Sequence, residues 1–128
     1  MSERKIVDYW IKSAEEDLLT AESLLKEKRY LHCLFFCHLF LEKILKAVFI
    51  ARKHTAPPWI HDLLKLAGES DIKLEENSKK DLREISRFNI TARYDDYKFS
   101  MYKKASHEFT QKYFSKTKEI YLCFRKLI

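Results

Sequence analysis

Across 128 residues the chain has one glycine, Gly68, and two adjacent prolines, Pro57 and Pro58. Glycine and proline are the residues that punctuate a fold, because one supplies turns and the other cannot continue a helix or a central strand. A chain with so few of them is unsuited to a many-turned sheet protein and suited to long helices. With 46% hydrophobic and 34% charged residues it is globular, and its length fits a single domain.

Hydrophobic spacing agrees. From about Ser2 to Lys28, the residues Val7, Trp10, Ala14, Leu18, Ala21 and Leu25 recur at steps of three and four, one face of an amphipathic helix. A second helix starts near Tyr30, is apolar nearly all round, and should end before HTAPPW. A short third helix falls in IHDLLKLAGES, with Gly68 expected as its left-handed cap. The fourth runs from about Glu75 to Thr91, with Leu82, Ile85 and Phe88 or Asn89 inward. TARYDDYKFS reads as a loop or frayed end. A fifth helix runs from about Lys103 to Leu127 on a face of Ala105, Phe109, Tyr113, Thr117, Ile120, Phe124 and Leu127. Short links favour antiparallel neighbours, so the expected fold is an all-α, up-and-down bundle of four to five helices over residues 1–128.

The run YLHCLFFCHLFLEKILKAVFIA, residues 30–51, is interrupted by Glu42, Lys43 and Lys46. A membrane span needs about 20 apolar residues, so the run reads as a buried helix and no membrane is expected. Three cysteines and a charged start, MSERKIVDYW, point to a reducing, cytoplasmic setting. The net charge of +6 permits an acidic partner without requiring one.

Several local features occur in order: Trp10, Ala14, Asp17 and Leu18 as W-x3-A-x2-D-L; FLEKILKAVF; a proline loop followed by His61-Asp62-Leu63 and Leu66; and FNITARYDDYK before a long helix. This ordered set resembles the HEPN domain family and covers nearly the whole chain. The resemblance implies a helical bundle that forms homodimers. It also implies a frequent partner, a minimal nucleotidyltransferase, in some cases as a toxin–antitoxin pair, in prokaryotes. Many members are metal-independent ribonucleases with an arginine, four to six residues, a histidine, and often a tyrosine two further on.

Here the pattern departs. With the motif set on Arg87, Tyr94 takes the tyrosine position but Ala92 takes that of the histidine. Set on Arg93, the motif meets Lys98, Phe99 and Ser100. Cleaving RNA without a metal needs a group to take the 2′-hydroxyl proton, which histidine does near neutral pH and arginine does not. RYDD instead resembles the arginine–tyrosine–proline–aspartate signature of a non-nucleolytic branch, with Asp95 at the proline position.

The candidate residues for nucleotide or RNA binding are therefore Arg83, Arg87, Arg93, Tyr94, Asp96 and His61, with no catalytic residue assigned. Lys80, Arg83 and Arg87 share a helix stripe, either a phosphate-tracking ridge or a solvated face. Arg93 can hold phosphate or clamp a carboxylate. Tyr94 and Tyr97 can stack on a base or cover the end of the core. Asp95 and Asp96 suit capping better than a metal. Cys33 and Cys37 share a helical face that His38 is rotated away from, which is a poor zinc site, so no metal or other cofactor is expected. His61 and Asp62 are placed to start the short helix, and His61 becomes a substitute proton acceptor if it approaches Arg87 in space. Glu42 and Lys43, in an otherwise buried helix, suit an ion pair within the bundle or across a dimer.

Overall fold

The computed structural model describes residues 2–91, 100 and 102–128. Its helices are α1 (Glu3–Lys26), α2 (Tyr30–Lys53), α3 (Leu63–Glu69), α4 (Glu76–Thr91) and α5 (His107–Arg125). Residues 102–104 are also helical, and the described residues contain no strand. The all-α bundle expected from hydrophobic spacing is the fold observed.

Helix ends follow local chemistry. Ser2, Asp62 and Ser106 cap α1, α3 and α5, each accepting a hydrogen bond from a backbone N–H in the first turn. α2 stops at His54, which takes a left-handed conformation (φ 58°) just ahead of the prolines. Two expectations are corrected. Gly68 does not cap α3: it lies inside the helix, and the left-handed residue is Asp71, at φ 58°. The last helix starts at His107 rather than near Lys103, because Ser106 is extended and caps it.

α2 is the axis of the bundle and packs against all four other helices. Its companion α1 precedes it by a link of residues 27–29, too short for anything but an antiparallel return. The core joins Leu34, Phe40, Leu41, Ile44 and Leu45 of α2 to Leu63 and Leu66 of α3, Leu82, Ile85 and Phe88 of α4, and Phe124 of α5. Phe88 meets Tyr113 edge-on at 5.6 Å between ring centroids, which locks α4 to α5. Arg52 closes the lower end by donating to the carbonyl oxygens of Ser70 and Asp71 at 3.3 and 2.8 Å, while Lys53 pairs with the Asp71 carboxylate.

A helix enclosed on all sides has no wet face for its charges, so each charge on α2 finds a partner. Lys43 binds Asp17 of α1 at 2.8 Å and Ser13 at 2.8 Å. Glu42 does not pair with Lys43 but lies on another stripe, with His38 and Lys46 one turn to either side.

Candidate functional site

The stripe of His38, Glu42 and Lys46 faces the segment that leads into α3. All three side chains are buried, Glu42 to 5% exposure. Glu42 Oε2 accepts from Lys46 Nζ at 3.1 Å, and Oε1 accepts from His61 Nδ1 at 2.9 Å. His38 Nε2 lies 3.7 Å from the same Oε1 and donates to the main-chain carbonyl of His61 at 2.8 Å. A carbonyl oxygen can only accept, so His38 carries its proton on Nε2. Likewise a carboxylate at Nδ1 holds the His61 proton there. The Lys46 ammonium also sits 5.2 Å from the centroid of the Trp10 ring.

These contacts decide the charge state of Glu42. Burial alone drives its carboxyl upward. The His61 hydrogen bond and the fields of His38 and Lys46 together outweigh that, so its pKa falls below the ordinary glutamate value. Glu42 is thus an ionised carboxylate inside the bundle, and His61 is held at both its ring and its backbone.

Beside His61 is a hollow of about 250 Å³ between the start of α3 and α4, lined by His61, Asp62, Arg83, Ser86, Arg87 and Asn89. Its walls are tied together. Ser86 Oγ accepts from the N–H of Leu63 at 2.8 Å, and Asp62 Oδ1 accepts from the N–H of Lys65 at 3.1 Å. The Arg87 side chain is 66% exposed and only loosely paired, 3.7 Å from Glu84. Asn89 is buried, and among the described residues its Oδ1 has no hydrogen-bond partner.

Three of the residues singled out from sequence, His61, Arg83 and Arg87, therefore meet at one hollow. Lys80 of the same stripe is exposed and does not line it. Arg93, Tyr94 and Asp96, with Ala92, Asp95 and Tyr97, lie outside the described residues. Sequence reasoning passed over Ser86, treated Asn89 as core, and gave Glu42 only an ion-pair role. The four-residue step of His38, Glu42 and Lys46 in an apolar helix was the available signal for the last.

Other clusters offer less chemistry. Cys33 and Cys37 are fully buried, and the hydrogen bond that the Cys37 thiol donates to Cys33, together with burial, pushes that thiol well up, away from the reactive thiolate. Among the described residues no group of three or more His, Cys, Asp or Glu side chains is placed to hold a metal ion. A second hollow of about 340 Å³ lies by Ile6, Trp10, Ile50 and Pro57. It is mainly apolar, and Glu3 and His54 at its edge pair with each other at 2.9 Å.

A bundle built on one enclosed axial helix, with a charged hollow at its side, is a recognisable class. The model of the HEPN domain family matches residues 7–127, and the chain belongs to that family. In fold it is similar to TT1696 from Thermus thermophilus, known from a crystal structure, with a TM-score of 0.82 at 17% sequence identity, over 95% of this chain and 98% of that one. No curated protein matches the chain in sequence. Among the described residues no helix is long and apolar enough to cross a membrane.

Proposed function

We propose that residues 1–128 form a single HEPN-type binding module that takes the phosphate of a nucleotide or of RNA in the hollow between α3 and α4. The observation that carries this reading is the meeting of Arg83, Arg87 and His61 at one cavity. Guanidinium groups bind phosphate through paired N–H donors. Ala92 at the position of the family's histidine supports a module that binds without cutting. In the same reading the module works as a cytoplasmic homodimer in a prokaryote and pairs with a minimal nucleotidyltransferase. Free cysteines support the compartment, and the exposed Tyr9, Leu19, Trp59 and Leu122 offer apolar surface for partners.

The test is a titration with AMP and with a short single-stranded RNA, comparing the wild type with Arg83→Ala. Binding that weakens by about tenfold in the variant supports the reading. Equal affinities would remove it.

One observation favours a second reading, a metal-independent ribonuclease of the toxin type. The Glu42–His61 hydrogen bond has the form of a base oriented by a third group, beside two arginines. It predicts RNA cleavage that needs His61.

A further inference from the structure

The loop from α2 to α3 carries the most exposed large apolar side chain among the described residues, Trp59, at 94% exposure. Its backbone is nonetheless held. The N–H of Ile60 donates to the carbonyl oxygen of Pro58 at 2.9 Å, which makes a three-residue turn with Trp59 at its centre. Pro57 and Pro58 restrict the chain ahead of the turn, and Ile60 packs against the core behind it. The indole is thus presented outward on a stiff base, which lowers the ordering cost of any contact it makes. Tryptophan is enriched among the residues that anchor protein interfaces.

Beside this knob lies a matching socket. Pro57, two residues back, forms part of the wall of the mainly apolar hollow of about 340 Å³ between the start of α1 and the end of α2. Ile6, Trp10 and Ile50 line it, and Val7, Ile11 and Ala47 close the core beneath. Glu3 and His54 at its edge are paired, so neither opposes an entering ring with a bare charge. Trp59 does not fill the hollow of its own chain, because it stands almost wholly in solvent.

We propose that this hollow is completed by the Trp59 of a second copy, so that two chains exchange tryptophans across a two-fold axis. A patch that carries both a knob and a socket is self-complementary, which is what an isologous dimer requires. The area is of the right order. An indole buries about 150–250 Å², so two insertions, with the socket surface they cover, come to roughly 600–1,000 Å². Ile6 on the socket rim and Tyr9 one turn further along α1 are exposed and extend the contact toward the roughly 1,200 Å² at which stable interfaces begin. A buried indole N–H needs an acceptor, and the Thr55 hydroxyl in the socket wall supplies one. The inference deepens the homodimer reading by naming the surface and the residue exchanged, and it rests on that reading.

The experiment is equilibrium sedimentation of the full chain beside Trp59→Ala, which removes the knob, and Ile6→Glu, which charges the socket rim. Both positions are exposed, and circular dichroism checks that each variant folds. One substitution removes two knobs from a two-fold dimer, so Trp59→Ala should weaken association by about a hundredfold or more. Ile6→Glu should weaken it in the same direction. A spectroscopic readout locates the indole itself. The chain has two tryptophans, so Trp10→Phe leaves Trp59 as the sole one. Its emission should move to shorter wavelength as concentration rises through the dimer range. A dimer that keeps its affinity in Trp59→Ala, with Trp59 emission independent of concentration, would overturn the exchange and leave the homodimer reading intact. A wild type that stays monomeric at about 100 μM would overturn both.

Discussion

Glu42 Oε1 stands 2.9 Å from His61 Nδ1, and the same carboxylate holds Lys46 at 3.1 Å through its other oxygen. One buried charge therefore serves the core and the hollow together. Removing it leaves the Lys46 ammonium without its carboxylate. Glu42→Ala should lose about 3–5 kcal/mol of stability in denaturant unfolding, since breaking a buried pair strands its partner. A loss under about 1 kcal/mol would show that the network contributes little.

The same carboxylate sets an acid limb. Its pKa is lower folded than unfolded, because His61, His38 and Lys46 outweigh the penalty of burial. A depressed carboxyl contributes stability that is present above its unfolded pKa and lost as pH falls through its folded one. The loss should begin near pH ~4.3, the ordinary glutamate value, and continue below it. Glu42→Gln should flatten stability against pH in that window, as followed by thermal unfolding at stepped pH. An unchanged slope would exclude Glu42 as the source.

Arg87 separates binding from folding. Its side chain is 66% exposed and only loosely paired with Glu84. Arg87→Ala should change stability by no more than about 0.5 kcal/mol. RNA binding in the wild type should weaken as salt rises, because phosphate contacts release counterions, and the variant should show a shallower salt slope. Fluorescence anisotropy across a salt series reads both slopes, and parallel slopes would show that Arg87 touches no phosphate.

Phe88 reports on the α4–α5 seam. It is 1% exposed and packs edge-on against Phe109 and Tyr113. Phe88→Ala should cost about 3–5 kcal/mol. Because α4 carries both arginines, ligand binding should fall with it when measured at a temperature where part of the variant is unfolded.

Metal-free incubation with RNA distinguishes the two functional readings. The binding-module reading expects wild type, Arg87→Ala and His61→Ala, prepared identically, to show the same background. Cleavage by the wild type that disappears in both variants would establish the ribonuclease reading, with His61 in place of the missing histidine.

Much of this fold is legible without coordinates. α1, α2 and α4 fall within a residue or two of where their apolar spacing puts them, since burial of one stripe dominates a helix of that length. Gly68 misled because a glycine near a helix end usually marks the left-handed turn. Here its conformation is ordinary, and the turn passes to Asp71, whose carbonyl and carboxylate are held by Arg52 and Lys53. The start of α5 was missed because Ser106, a strong cap, sits between Ala105 and Phe109 at the beginning of an apolar rhythm that it does not interrupt. At the site, the period of α4 shows that Arg83 and Arg87 share a face. Nothing local reveals that Glu42 meets His61, because the loop with Pro57 and Pro58 lies between them and only tertiary packing closes it.

That closure has a consequence for how the chain tolerates change. The loop from residue 54 to residue 60 is fixed at one end by the last turn of α2 and at the other by His61, gripped by His38 through its backbone and by Glu42 through its ring. It behaves as a tether between two nails. Lengthening a tether raises its closure entropy only logarithmically, by about 0.6 kcal/mol per doubling. Residues inserted among 55–59 should thus be absorbed as slack. A single residue inserted between His61 and Leu63 would turn the start of α3 away from Ser86 and uncouple the grip from the helix it positions.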